Sequence, residues 1–373
     1  YMMGNWQAQM NSIVKYAGKI SGKTKNGLSF GTISAVTNDN YSSWFEVNSN
    51  SNFLVNRVTQ DLFEGNSYIG FLSTIYNDNT ETDYVTSIDM LSYLWDNQLV
   101  IDWQILNSQS DHSVDYNGIE GKSGNGLSFE MAYNPTTSSL YSFLDIEYFD
   151  RTLNINDVGY LYRNNLKKVQ GGVGLYWPEL DLPFPILEGR VNLNFNKMSN
   201  LDNLVLNNSM GLSSTATFDN LWYMGGGFNY LDEHNDDLLL YDYYIEDGDP
   251  INKADRLGPP IMIPKGTEIN IYMGNNPNKK HTINTNVSIW ENDYEDGKSQ
   301  SLSFGAYPRE NLDFNFEYRQ STSEEKYRWL EINPHPVTDS LEYIFAASVN
   351  KLQKYTYEIN YTYNRKTNIQ LYV

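Results

Sequence analysis

Four histidines, two acidic runs and a glycine triplet carry most of the chemistry this chain has to offer. His112, His234, His281 and His335 stand singly in or beside polar stretches, without the H-E-x-x-H spacing that places two imidazoles on one metal. An isolated His needs partners before it acts as ligand or base, so the ordinary reading is a surface imidazole. His112 lies between Asp111 and Ser113, but neighbours along a strand point to opposite faces, which works against a local hydrolase triad. Asp232-Glu233-His234-Asn235-Asp236-Asp237 and Glu246-Asp247-Gly248-Asp249 offer the oxygen ligands that Ca²⁺ favours. Asp247-Gly248-Asp249 lacks the spacing and the closing bidentate Glu of a calcium loop. The competing reading of 232–249 is a solvated loop, self-repelling or bridged by divalent ions at a lipopolysaccharide surface. Gly225-Gly226-Gly227 is followed by neither a helical pattern nor Lys-Ser/Thr, so it marks close packing or a bend rather than a phosphate loop. No catalytic, cofactor-binding or metal-binding position is expected, and the chain reads as a non-enzyme.

Composition narrows the class. The 373 residues include 46 acidic and 26 basic side chains, a formal charge of −20, and no Cys. A disulfide framework, a Cys-ligated zinc and a thiol nucleophile are excluded. An acidic chain without a basic cluster is a poor nucleic-acid partner. With 14% aromatic and 40% hydrophobic residues, it is too apolar for a disordered acidic chain. No stretch approaches the ~18 apolar residues of a transmembrane helix.

The elements that must position these residues show a period of two. Leu312, Phe314, Phe316 and Tyr318 alternate with Asp313, Asn315, Glu317 and Arg319. Tyr355, Tyr357, Ile359, Tyr361 and Tyr363 alternate with Thr356, Glu358, Asn360 and Thr362. The same pattern runs through Gly189–Phe195 and Ile283–Ile289. Successive strand side chains face opposite ways, so each is a strand with one apolar and one polar face. Segments 28–38, 67–77, 98–108, 281–291, 298–307 and 354–364 have the ~9–11 residues of a tilted membrane strand. Turn signals lie at 25–27, 64–66, 96–98, 124–126, 309–310 and 364–366, and longer polar stretches at 39–51, 78–84, 109–117, 292–298 and 232–265. Short and long connections alternate, as in an up-and-down meander with turns at one rim and loops at the other. The expected fold is an all-β, antiparallel, up-and-down transmembrane β-barrel, with short periplasmic turns and long extracellular loops. At roughly 20 residues per strand and connection the chain supplies about 16–20 strands.

Aromatic residues at strand ends (Trp95, Tyr133, Tyr148, Trp177, Tyr230, Trp290, Tyr307 and Tyr363) suit the interfacial girdles of such a barrel. Asp145, Glu147, Glu188, Arg190, Asp313, Glu317 and Arg319 fall on polar faces, where they would line a wet lumen and tune passage. Arg57 with Asp61, and Arg151 with Asp157, are candidate cross-strand pairs. The stretch Gly22–Phe30 echoes Gly121–Phe129 and reads as a reused hairpin. Leu257–Pro264 breaks the alternation and reads as an ordered loop, inside the lumen or against a partner.

A resemblance to a known family rests on several of these stretches. They are Ala17–Thr24 with Asn26–Gly31, Asn56-Arg57-Val58 with Gln60–Asn66, and Phe149-Asp150-Arg151 with Asn156–Asn165. The closing stretch from Tyr343-Ile344-Phe345 to Asn368–Tyr372 completes the set. Together they resemble bacterial proteins in which a carbohydrate-binding-module-like domain of the family-nine type precedes an uncharacterised outer-membrane barrel. The resemblance implies a Gram-negative outer-membrane location and supplies no catalytic residue.

The chain is expected to be a single barrel domain, 1–373, cut from something longer at both ends. It would act as the membrane domain or scaffold of a larger surface or periplasmic protein, with solute passage. The alternative is a porin-like diffusion channel or a substrate-specific uptake channel, and an outer-membrane hydrolase ranks below both. Expected partners are outer-membrane lipid and lipopolysaccharide, a periplasmic or surface protein, and a carbohydrate held by the missing N-terminal domain.

Overall fold

The computed structural model describes residues 11–40, 49–78, 82–110, 123–136, 139–156, 158–180, 185–237, 245–246, 249–250, 259–276, 278–334, 341–364 and 366–373. The alternating segments form β1 (Asn11–Lys23), β2 (Leu28–Asn40), β3 (Ser49–Leu62), β4 (Ser67–Asn77), β5 (Thr82–Leu94) and β6 (Leu99–Gln109). They continue as β7 (Ser123–Tyr133), β8 (Leu140–Phe149), β9 (Leu166–Leu180), β10 (Ile186–Ser199), β11 (Val205–Phe218) and β12 (Tyr223–Leu231). Four short strands follow: β13 (His234–Asp236), β14 (Ile245–Glu246), β15 (Asp249–Pro250) and β16 (Ile261–Ile263). The last six are β17 (Gly266–Gly274), β18 (His281–Asn292), β19 (Glu295–Arg309), β20 (Leu312–Pro334), β21 (Leu341–Asn364) and β22 (Thr367–Tyr372).

Eighteen of these strands make one antiparallel sheet, within the expected 16–20. Each pairs with its neighbours in the chain, except that β12 pairs with β17 across the short strands. The remaining four form two ribbons, β13 with β16 and β14 with β15. Among the described residues β1 and β22 are not paired with each other, so the sheet is a meander whose two edges stay open.

Successive connections fall alternately at two ends, and the longest ones share one end. The turns after β1, β3, β5, β9, β11, β19 and β21 are short, and those after β7 and β17 only slightly longer. The opposite end carries the longest connections, 41–48, 110–122, 150–165 and 232–265, together with the short ones at 78–81, 200–204 and 293–294. Three left-handed residues in a row close two of the tight turns: Phe63, Glu64 and Gly65, and Trp95, Asp96 and Asn97. Asp and Asn visit that region with little penalty, whereas Phe63 and Trp95 are held there by the paired strands on either side.

The two faces differ as the alternation requires. Ile269, Ile271 and Met273 of β17, Val287 and Ile289 of β18, and Leu302 and Phe304 of β19 lie on one face, each 40–56% exposed. Among the described residues no second layer covers that face, and only six hydrophobic residues are buried: Leu99, Leu106, Phe149, Leu153, Leu166 and Leu206. The other face carries Asn, Ser, Thr and charged side chains.

Several expectations need correction. Gly124-Asn125-Gly126 is not a turn but part of β7; its glycines answer a packing demand described below, so the echo of Gly22–Phe30 is not a second hairpin. The stretch 292–298 is mostly strand, with only residues 293 and 294 between β18 and β19. Strands β20 and β21 reach far beyond the expected length. The pairing of β20 with β19 ends at Glu295 opposite Glu325, and β20 runs on beside β21 to Pro334, projecting about 30 Å at ~3.3 Å per residue. Trp290 is not on the apolar face: it stands opposite Glu268 and Gly297, with its Nε1 donating to Glu295 at 3.0 Å. Trp95 and Tyr133 meet edge to face at 6.2 Å at the short-turn end.

Candidate functional site

Register places a row of charged side chains across the polar face of β5 to β9. Asp89 stands opposite Gln104, Gln104 opposite Ser128, Ser128 opposite Glu147 and Glu147 opposite Lys168. One step along, Asp102 stands opposite Glu130 and Glu130 opposite Asp145, which faces Gln170. Two cations flank these five carboxylates. Lys168 Nζ lies 2.8 Å from Glu147 and 3.3 Å from Asp145, whose Oδ2 also accepts from Gln170 at 2.6 Å. Asp145 is buried and its Oδ1 makes no hydrogen bond.

The second cation crosses a whole strand. Arg57 of β3 grips Asp89 of β5 with both guanidinium nitrogens, Nη2 to Oδ2 at 2.6 Å. Between them lies Gly70 of β4, where a Cβ would collide with the guanidinium itself. Tyr68 stacks on the same guanidinium at 5.8 Å. Glycine is thus required at 70 for close approach rather than for its φ.

At the long-loop end the polar face is covered. Leu106, Gly126, Phe149, Leu166 and Met198 occupy polar-face positions by register, in line with Gln104, Ser128, Glu147, Lys168 and Asn196. Segment 150–165 turns back onto them. Leu153, 1% exposed, rests on Gly124 and Gly126, where any side chain would strike it. It joins Leu106, Phe149, Leu166 and Leu206 in the only buried apolar cluster among the described residues, with Ile155, Leu161 and Met198 against it. Hydrogen bonds fix the backbone: the Asn154 N–H donates to Ser108 Oγ at 3.0 Å and Thr152 Oγ1 to the Ser123 carbonyl at 2.7 Å. Arg163 forms a bidentate pair with Asp237, at 3.0 and 3.3 Å, and both are buried. That pair ties the segment to the β13–β16 ribbon, which itself covers a cavity of 270 Å³ lined by Leu231, His234, Pro264, Glu268 and Trp290. The half-buried Tyr162 hydroxyl donates to Glu147 at 3.2 Å. Burial of the phenol, then the Glu147 charge, raises its pKa well above the ordinary tyrosine value.

The sequence-predicted residues fall out unevenly. Asp145, Glu147, Glu188, Arg190, Asp313, Glu317 and Arg319 all lie on the polar face. Arg57 does not pair with Asp61: Gly70 opens the way to Asp89, and Asp61 takes Lys23 instead, at 2.5 Å. Arg151 pairs with Asp202, while Asp157 lies outside the described residues. So do His112 and His335, and residues 247 and 248 of the acidic stretch. His234 is half-buried, its Nδ1 2.9 Å from the Asp232 carbonyl; His281 is exposed and stacks on Phe304. No group of three potential metal ligands occurs among the described residues. Asp237, read as part of a solvated run, is instead buried against Arg163. Leu257 and Gly258 lie outside the described residues, but Ile261–Ile263 form a strand rather than a loop. Gly225, Gly226 and Gly227 lie inside β12, closely packed as the glycine reading allowed. The reading from sequence missed Asp89, Asp102, Glu130 and Lys168. The signal was there for three of them, since Asp89 stands between Ile88 and Met90, Asp102 between Ile101 and Trp103, and Glu130 between Phe129 and Met131.

An all-β meander with one bare apolar face and one charged polar face defines the class. The chain belongs to the family described as "Domain of unknown function (DUF5916)", whose profile matches residues 7–373. No curated protein matches it. Among solved structures, a porin refined at 1.8 Å is 10% identical, over 88% of this chain and 99% of that one, with a TM-score of 0.39. The FrpB iron transporter from Neisseria meningitidis is 10% identical, over 95% of this chain and 72% of that one, with a TM-score of 0.43. A mutant of the Rh. blastica porin is 10% identical, over 83% of this chain and 97% of that one, with a TM-score of 0.33. The fold described above rests on strand pairing alone and takes nothing from these scores.

Proposed function

We propose that this chain is an outer-membrane β-barrel of a Gram-negative bacterium. In this reading it is the non-enzymatic membrane domain of a larger surface or periplasmic protein, with passage for small hydrophilic solutes. The bare apolar face supports the reading most. Covering a Val, Leu, Ile, Phe or Met side chain is worth about 1.5–3 kcal/mol, and a sheet this wide would not leave so many in water. Lipid is the covering that needs no second protein layer, and strands with paired backbones are one of the two ways to cross it. No helix of the described residues is long and apolar enough to cross a membrane. The polar face then lines the lumen, and the charged row of β3 to β9 lies along the path of a solute.

A carbohydrate-binding-like domain ahead of the barrel, and lipopolysaccharide around its long loops, belong to the same proposal. A freestanding diffusion channel or substrate-specific uptake channel is the second reading, favoured by the hydrophilic wall, which serves passage whether or not a partner is attached. Membrane fractionation and gel migration before and after heating test the barrel. A compact, heat-sensitive band found only after detergent extraction is expected, and a soluble monomer without detergent would overturn it. Planar-bilayer conductance then tests passage, and pull-down with the chain's own flanking domains separates membrane domain from lone channel.

A further inference from the structure

We propose that residues 150–165, latched to 232–237 by the Arg163–Asp237 pair, form a fixed constriction inside the barrel that sets the size limit for solutes. The proposal rests on the barrel reading above.

Position is the first argument. The segment does not extend away from the sheet end as an exposed loop; it packs on positions that register assigns to the polar face. Leu153 lies on Gly124 and Gly126 of β7, with Phe149 and Leu166 beside it. A wall facing water has no other use for an apolar cluster, and the glycines that admit Leu153 have φ values any residue adopts. Their smallness is what the segment needs.

Fixity is the second. Leu153 and Asn165 are 1% and 2% exposed, and the Asn165 Oδ1 accepts from the Leu201 N–H at 3.0 Å. Anchors therefore reach β6 and β7 at one side and the β10–β11 turn at the other. The Arg163–Asp237 pair, with side chains 6% and 8% exposed, carries the brace on to the segment after β12. Buried charges of this kind hold position because either one alone in that site would be costly. The anchors thus run along the inner wall from β6 to β11, on which β13 beside Asp237 packs, and Tyr162 brings the segment's edge to Glu147 on the charged row. A solute crossing the lumen passes beside it.

Two variants in the full chain test the proposal, each checked for heat-sensitive migration. One replaces Ile155–Leu161 by two glycines; the other, Arg163→Met with Asp237→Leu, removes the latch without deleting backbone or leaving one charge unpaired. The readouts are single-channel conductance and liposome swelling in neutral sugars of increasing size. The parent protein is expected to pass only the smaller sugars, with conductance rising about twofold or more in the shortened chain as the narrowest section widens. A parent that conducts nothing, beside a shortened chain that does, supports the same assignment with a complete block. Equal conductance and equal size limits in parent and variants would overturn the constriction while leaving passage intact. Silence from every folded variant would overturn passage and constriction together. If the shortened chain fails to fold, the latch variant decides by the same readouts.

Discussion

Arg57 and Gly70 form one device at the residue scale. The guanidinium reaches Asp89 only across a position without a side chain. Gly70→Ala should therefore cost about 1–3 kcal/mol, much as Arg57→Ala does by leaving Asp89 without its cation. In an Arg57→Ala background the Gly70→Ala change should cost little, a non-additivity that urea unfolding in detergent would measure. Tyr162 gives a pH signature. Its pKa is higher in the fold than the ordinary value near 10, so the folded state holds the phenolic proton more tightly than the unfolded chain. The contribution is complete below about pH 10 and is lost as pH rises through the raised value. Protease nicking of segment 150–165 should increase in that alkaline range, and Tyr162→Phe should remove the pH dependence; an unchanged profile in the variant would refute the assignment. The Arg57–Asp89 pair was not legible in the sequence, because alternation assigns faces but not partners. Asp61 is nearer along the chain, and only the register of β4 shows that Gly70 opens the longer route.

Alternation made the strands themselves legible, and β4 runs from Ser67 to Asn77 as read from its residues. It failed where local chemistry carried two meanings. Asn125-Gly126 has the composition of a tight hairpin, yet the glycines at 124 and 126 exist to seat Leu153. The far halves of β20 and β21 were missed because Glu324-Glu325-Lys326 interrupts the apolar pattern while the backbone ladder continues to Pro334. Leu153 was invisible as an anchor, because nothing in the sequence sets it apart from Ile155, Val158 and Leu161 in the same stretch. Leu153→Ala should cost about 2–4 kcal/mol of anchoring, the ordinary penalty for emptying a buried leucine site. Hydrogen exchange should locate the loss in segment 150–165 and leave β1 to β5 protected. Protection lost evenly across the sheet would mean that Leu153 holds the whole fold rather than the segment.

At the scale of the whole molecule, the account depends on which solvent each face meets. The sheet buries few apolar side chains, so its stability must come from backbone pairing and from whatever covers Ile269, Val287, Leu302 and their neighbours. A polar face of Asn, Ser and charged residues gains nothing from lipid and everything from water, which fixes the direction of curl. The chain has no cysteine, so single cysteines can be placed at will. The most direct measurement labels successive positions Ile283 to Glu291 of β18 with an environment-sensitive fluorophore in reconstituted vesicles. It then compares quenching by a lipid-borne and an aqueous quencher. Labels at Val287 and Ile289 should be quenched from the lipid, and those at Asn286 and Ser288 from the water, alternating with period two along the strand. Uniform aqueous quenching at every position, or a protein that stays in solution without the vesicles, would contradict the membrane barrel.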